Sequence, residues 1–298
     1  IFEKEFLDCS YGFRIGRSAK DALREVAKLL PDHKHVIDAD IKGYFDAIDH
    51  DILMGLIEER IADKWVLKYI RKFLENDIME GDEKWTPTEG SPQGGVLSPL
   101  LSNIYLHQLD LRMNAEGFKM IRYADDFIIM CKTAEEAQRG LEVVKEVMTK
   151  LKLTLHPDKT KVVELSEVNG FDFLGYNFKA IRRRPRAKSI AALKGKVKNL
   201  TPRNSGKSLE EVIGDLKPML RGWFEYFKHL NNEKYLFNAL DGTIRRRLRS
   251  ILAKFRKKKG THRFIDNFKY TIKYFRKLGL FSLQDALKEL TALARGNL

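Results

Sequence analysis

Polar and apolar positions alternate along this chain with periods that change several times. Ser18 precedes AKDALREVAKLL, where Ala22, Val26, Leu29 and Leu30 recur at helical spacing, so the pattern predicts a helix capped by Ser18 with Asp21 in its first turn. HVIDADI (35–41) is rich in β-formers and reads as a strand. Residues 50–76 predict two helices, the first starting at His50 and Asp51, the second carrying Leu67, Ile70 and Leu74 on one side. Residues 77–95, dense in Gly and Pro, read as a loop or hairpin. A helix follows from about Ser98 to Met113, with Pro99 suited to its first turn. Two apolar runs, 118–123 and 127–131, flank Ala124-Asp125-Asp126 and predict a β-hairpin with both aspartates at its tip. Residues 133–151 form an amphipathic pattern with Leu141, Val144, Val147, Met148 and Leu151 inward, and short strands are expected near 161–165 and 171–178.

Beyond residue 187 only helical periodicity is visible, with candidates at 187–199, 208–230, 233–254, 262–277 and 283–294. The order predicts an α+β layer, an antiparallel sheet backed by helices, followed by an all-helical region. Charge sharpens that division. Residues 1–180 carry 25 Lys and Arg against 32 Asp and Glu, and residues 181–298 carry 30 against 9. The run IRRRPRAK (181–188) is therefore the expected junction, and the net charge of +14 points to a polyanionic partner.

With 43% hydrophobic residues the 298-residue chain has enough apolar surface to fold, which excludes a disordered protein. No run of about 18 apolar residues is present, and two cysteines, Cys9 and Cys131, make neither a disulfide framework nor a four-ligand zinc site. With no signal peptide visible, a soluble protein of a reducing compartment is expected. The chain opens at Ile1 and is expected to be a fragment or a processed form.

Three carboxylates carry the candidate chemistry. Asp125 and Asp126 sit between apolar strands, and Asp40 near the end of another. A carboxylate cluster on a sheet repels itself unless a cation is held there, and a hard divalent ion such as Mg²⁺ suits oxygen ligands. Two ions about 3.5–4 Å apart support in-line phosphoryl transfer. An Asp-Asp pair alone is also a common solvated turn.

The surroundings decide between these readings. DADIKGYFDAIDH (38–50), GSPQGGVLSPLLSNIYL (90–106), YADDF (123–127), LTLHPDKT (153–160) and FDFLGYNF (171–178) occur in this order, preceded by YGFRIGRSAKDAL (11–23). Together they resemble the successive motifs of group II intron reverse transcriptases (maturases). LRGWFEYFKH (220–229) and LDGTIRRRLRSILAKFRKK (240–258) look like that family's thumb, or maturase-specific, region.

The resemblance implies a right-hand polymerase: part of the fingers at 1–35, a palm at 36–180 with inserted fingers helices at about 50–95, and a helical thumb at 181–298. It implies that Asp40, the Ile41 carbonyl, Asp125 and Asp126 bind two Mg²⁺, with Mn²⁺ as a substitute. Phe45 matches the steric gate that favours dNTPs over rNTPs, and Gln93 and Gly94 the segment at the incoming nucleotide. Arg14 matches a triphosphate contact, with Lys42 in the same nucleotide site. Lys159 matches a lysine that protonates the leaving pyrophosphate, with Lys161 as a competitor. Phe173-Leu174-Gly175 matches the primer grip, and Asp46 has no assignable chemistry.

The basic run 245–259, with Leu248, Ile251, Leu252 and Phe255 on one stripe, leaves Arg245, Arg246, Arg249, Lys257 and Lys258 for nucleic acid. The interleaved aromatics of this region, at helical spacing, are read mainly as core. Early fingers segments and a C-terminal Cys/His nuclease cluster are not seen. The expected activity is RNA-directed DNA synthesis from a primer 3′-hydroxyl with dNTPs, in a bacterial cytoplasm or nucleoid, with RNA template, DNA or RNA primer and structured intron RNA as partners. The alternatives are an RNA-binding splicing cofactor, an RNA-dependent RNA polymerase, which Phe45 argues against, and a domesticated, defence-associated reverse transcriptase.

Overall fold

The computed structural model describes all residues except 76–77, 81–82, 86–88, 92–93, 181, 205, 229–233, 256–267 and 297–298. It divides into two compact units, one holding residues 1–174 and 178–181, the other 175–177 and 182–298.

In the first unit, α1 (Ala19–Leu29) begins with Ser18 and Asp21 in a reciprocal capping box. β1 (His35–Ala39) is followed by a 3₁₀ turn at Tyr44–Asp46. α2 (His50–Glu58) is capped by Asp49, whose carboxylate accepts from Ile52 N at 2.9 Å. α3 (Lys64–Leu74) is capped by Asp63, which accepts from the amides of Trp65 and Val66. A short hairpin, β2 (Ile78–Glu80) and β3 (Glu83–Trp85), lies in the Gly-rich stretch. α4 (Ser98–Ala115) has Pro99 in its first turn and is buried on almost every side, as its apolar residues all round require. β4 (Lys119–Tyr123) and β5 (Asp126–Cys131) form the central hairpin, and α5 (Ala134–Lys150) is capped by Thr133.

With β6 (Lys161–Glu164) the main sheet is antiparallel throughout, in the order β4-β5-β1-β6. Its two faces follow from the two-residue period. Ile37, Ala39, Met120, Phe127, Ile129 and Cys131 point to the helices and join one core with Leu106, Leu109, Val144 and Met148. Asp38 lies on the opposite side, with Asp40 two residues on. Residues 171–178, where short strands are expected, hold β7 (Gly170–Phe173) and β8 (Tyr176–Lys179), and Leu174 (φ +46°) and Gly175 (φ +82°) reverse the chain between them. The 124–126 turn does not hold both aspartates: Asp126 already pairs with Tyr123 as the first residue of β5, leaving Ala124 and Asp125 as the loop.

The second unit contains β9 (Arg183–Pro185), α6 (Ala187–Leu200), α7 (Leu209–Phe227), α8 (Lys234–Phe255), α9 (Ile272–Lys277) and α10 (Leu283–Gly296). Its core joins Leu193, Leu216, Leu220, Phe224, Phe237, Leu248 and Phe275. Part of the helix expected at 262–277 lies outside the described residues. No described helix is long and apolar enough to cross a membrane. Asp241, buried on α8, caps α10 from a distance: its carboxylate accepts from Ser282 Oγ at 2.8 Å and from the amides of Leu283 and Gln284 at 3.0 and 3.1 Å. Burial pushes its pKa up against those bonds. Asp241→Ala is expected to destabilise this unit by about 2 kcal/mol, the scale of hydrogen bonds to a charged acceptor. Urea denaturation, with faster amide exchange at Leu283 and Gln284, checks it.

Candidate active site

β1 and β5 pair with Ala39 opposite Phe127, so continuing the register one residue sets Asp40 opposite Asp126, beside the loop residue Asp125. The carboxylates interact: burial raises the pKa of Asp125, and the negative charge of Asp40 raises it further. Asp40 is held by its own backbone, whose carbonyl accepts from His156 N at 2.7 Å. Ile41 is buried and bridges Leu155. Lys159 Nζ lies 2.9 Å from Asp40 Oδ2, a half-exposed pair. The distant segments 38–41, 123–127 and 154–160 thus meet at one end of the sheet. Lys161 turns instead to Asp38, 3.9 Å away.

Asp38 was not singled out by the sequence reading, although Asp-Ala-Asp on a strand sets both carboxylates on one face. Its pKa is pushed up to about 6, first by burial and then by the charges of Asp172 and Asp40 against the pull of Lys161.

Beneath the hairpin lies a second set of residues that the sequence reading missed. The Arg122 side chain is 0% exposed. Its Nε donates to Asp110 Oδ1 at 2.7 Å and its Nη2 to Asp110 Oδ2, a two-pronged pair. Its Nη1 donates to Asn103 Oδ1 at 2.9 Å and to the carbonyl of Ala124 at 3.0 Å. The loop is therefore fixed from below through Ala124, a non-glycine residue at φ +58°. Burial alone would raise the carboxyl of Asp110, but the Arg122 charge and its hydrogen bonds hold it below the usual range. Asn103 Nδ2 donates to the carbonyl of Gly12 at 2.9 Å, and a Cβ on Gly12 would stand 2.3 Å from Ala124 N, so only glycine lets this segment pass under the loop. The visible signal was an arginine inside an apolar strand and an aspartate inside an all-round apolar helix.

Around this centre the expected nucleotide contacts separate. Phe45 is half-buried, edge-on to Tyr44 at 5.3 Å, and its carbonyl accepts from Ser91 N at 2.7 Å. The Gly90 amide donates to Ile48 and its carbonyl accepts from His50 Nε2 at 2.6 Å, so the segment leading to the 94–97 turn is anchored on the Phe45 turn. Gly94 is exposed at φ +79°, and Gln93 lies outside the described residues. Lys42 is exposed, and its amide donates to Thr154.

Arg14 is placed otherwise than expected. Its side chain is 6% exposed, paired with Glu3 at 3.0 Å, and donates to the carbonyls of Leu7, Ser10 and Glu3. A guanidinium so engaged is an internal clamp, not an open phosphate site. Phe173 is fully buried, which leaves the backbone of the Leu174-Gly175 turn as what that motif can offer a strand. In the second unit Arg249 turns inward to the carbonyl of Tyr270 at 2.9 Å, against the expectation for it, because packing against Phe275 holds it there. Arg245 is half-buried, and burial lowers its pKa. Arg246 is exposed, and Lys257 and Lys258 lie outside the described residues.

Divalent ions fit the Asp40–Asp125 pair on its chemistry: two neighbouring carboxylates, the charge of Asp40 raising the proton affinity of Asp125, with Lys159 as the counter-charge beside Asp40. Among the described residues no three His, Cys, Asp or Glu side chains form a metal cage.

Comparison with known proteins bears on this geometry. Residues 2–178 match the profile described as reverse transcriptase (RNA-dependent DNA polymerase), and residues 190–270 match the group II intron maturase-specific domain. The chain is 30% identical over 315 residues to the group II intron-encoded protein LtrA of Lactococcus lactis subsp. cremoris, covering 81% of this chain and 51% of that protein. It is 32% identical over 226 residues to protein YkfC of Escherichia coli K12, covering 62% and 58%. The chain thus spans about half the length of these relatives. Among solved structures it is similar to telomerase from Candida albicans in complex with a fragment of telomeric RNA (TM-score 0.52, 13% identity, 91% of this chain and 53% of that one). It is also similar to apo telomerase from Candida tropicalis (TM-score 0.51, 14% identity, 95% and 52%). At such identity the likeness establishes the fold, an antiparallel sheet backed by helices as in right-hand polymerases.

Two measurements probe the site's construction. Asp110→Asn leaves Arg122 charged and unpaired in the core and is expected to cost about 3–5 kcal/mol in chemical denaturation. Asp38 holds a proton in the folded chain between about pH 4 and pH 6 that the unfolded chain has released, so its contribution to stability falls as pH rises through that window. Asp38→Asn, compared with the unaltered chain by thermal melting in chelator, is expected to gain about 1–3 kcal/mol above pH 7 and nothing near pH 4.

Proposed function

The chain belongs to the reverse transcriptase family, and from that premise we propose that it is an RNA-directed DNA polymerase of the group II intron type, extending a primer 3′-hydroxyl with dNTPs on an RNA template. The observation that carries this reading is the meeting of Asp40 with the 125–126 hairpin, close enough for one charge to perturb the other. Residues 36–180 act as the palm, with residues 1–35 and the inserted helices α2 and α3 as parts of the fingers, and residues 181–298 as the thumb.

The family uses divalent metal ions. Here Asp40, the Ile41 carbonyl, Asp125 and Asp126 would hold two Mg²⁺, with Mn²⁺ able to substitute. Bound there, such ions lower the pKa of the primer hydroxyl and neutralise charge on the triphosphate. Arg122 keeps the hairpin in place during this work. Lys159, already beside Asp40, holds a proton at Nζ for the departing pyrophosphate. Phe45 occupies the position under the sugar, where its ring excludes a 2′-hydroxyl. Lys42 and the Gly94 backbone meet the incoming nucleotide, a role the motif also gives to Gln93, and the 173–175 turn supports the primer backbone. Arg14 is left out of the triphosphate contacts because its donors are engaged. The second unit contributes basic surface, Arg246 included, for structured intron RNA, a reading favoured by the maturase-specific match over 190–270.

Extension of a DNA primer on an RNA template with Mg²⁺ and dNTPs tests the proposal. Asp40→Asn, and Asp125→Ala with Asp126→Ala, are expected to lower extension by on the order of a thousandfold or more, the loss of several kcal/mol of charge stabilisation. RNA affinity in a filter-binding assay should persist. Extension that survives these substitutions would refute the assignment.

A further inference from the structure

The face of α3 turned away from its own core is built unlike an ordinary solvated helix face. Leu67, Ile70, Phe73 and Leu74 pack inward. At about 100° per residue the opposite side carries Trp65 and Tyr69 one turn apart, flanked by Lys64, Lys68 and Lys72 at successive four-residue steps. Trp65 is 67% exposed and Tyr69 66%. Large aromatic rings left this open on a helix with a complete apolar face elsewhere are not explained by packing. Lys68 Nζ stands 5.3 Å from the Trp65 ring centroid, on one side of the ring. Among the described residues Lys64, Lys68 and Lys72 take part in no ion pair, whereas Arg71 of the same helix is tied to Asp51 at 2.8 Å and to Glu75. Residues 64–74 contain four cations and no acid, inside a unit whose sequence is otherwise acidic in balance.

We propose that this stripe is a binding site for single-stranded nucleic acid, with unpaired bases stacked on Trp65 and Tyr69 and the strand's phosphates on Lys64, Lys68 and Lys72. Ring faces accept any base, which suits a strand of arbitrary sequence. A duplex keeps its bases stacked inside and offers the rings nothing. A protein partner is disfavoured by the three lysines, a residue type depleted from protein interfaces. A membrane is disfavoured because the helix has already committed its aliphatic residues to the core. The inference rests on the polymerase reading only for the source of the strand, an RNA template, and its test does not use catalysis.

The test measures binding of the full chain to a labelled 12-nucleotide single-stranded RNA by fluorescence anisotropy. Parallel arms use the same sequence as DNA, an RNA duplex, vesicles of anionic phospholipid, and sedimentation of the protein alone. Trp65→Ala with Tyr69→Ala is expected to weaken single-strand binding by roughly tenfold or more. Trp65→Phe with Tyr69→Phe, which keeps the rings, should restore most of it. Lys64→Gln, Lys68→Gln and Lys72→Gln together should reduce the slope of log affinity against log salt by about 2, at roughly 0.7 per phosphate on a single strand. A loss shared by the RNA and DNA arms supports the site as a general single-strand platform, and a loss confined to RNA supports it as a template site. Unchanged single-strand affinity, an equal loss on the duplex, or an effect seen only on vesicles or on self-association overturns the proposal. Primer extension by the unaltered chain is scored separately, so failure of the stripe and failure of the polymerase reading are told apart.

Discussion

The buried pair of Arg122 and Asp110 is the interaction on which the carboxylate site depends. The charge of Asp40 opposes the ionisation of Asp125, and no hydrophobic contact holds a polar loop against such repulsion. What fixes the loop is a guanidinium beneath it, bonded to the Ala124 carbonyl on one side and clamped by Asp110 on the other. Because Arg122 lies on the helix face of β4, the hairpin is tied to α4 and to the 9–12 segment rather than to its own strands alone. An ion pair in this position is poor evidence for stability in itself, since desolvation costs much of what attraction returns. Its value is positional: the planar fork permits one orientation of the strand end.

The same burial that positions the carboxylates raises their proton affinity. Asp38 and Asp125 are both shifted upward, and the charge of Lys161 on β6 offsets this at Asp38 while that of Arg122 beneath the loop offsets it at Asp125. A site of this kind gains from cations and from the phosphates that arrive with them. The acidic balance of residues 1–180 therefore does not conflict with a polyanionic substrate: at the centre the carboxylates serve the ions, and on α3 the lysines are left to meet the strand.

Much of the fold was legible because it rests on local rules. Ser18 caps its helix as the pattern predicts, and β1 and the central hairpin run where β-formers cluster. The departures have physical causes. Arg14 and Arg249 read as surface cations because the sequence does not show that backbone carbonyls converge on them; only tertiary packing supplies Leu7, Ser10 and Tyr270 as acceptors. Within the candidate site, the distant aspartates were found through ordered motifs, whereas their support was not. Arg122, Asp110 and Asn103 act through partners far apart in sequence, and no spacing rule joins them.

Aromatic residues serve different ends in the two units. In the second unit Trp223, Phe224, Phe227 and Phe237 meet in tilted and edge-on ring contacts, Trp223 with Phe227 at 4.6 Å, and Phe275 is buried in the same core as Phe224 and Phe237. Their closeness to basic residues in sequence is a consequence of amphipathic helices, which place charge and ring a few residues apart without facing them the same way. On α3 the angular arithmetic is reversed: rings and lysines share the solvent face while leucine and isoleucine hold the inner one. Composition alone cannot separate these cases. The helical angle between ring and core can, and it moves the expected stacking surface from the strongly basic second unit to a helix of the acidic first one.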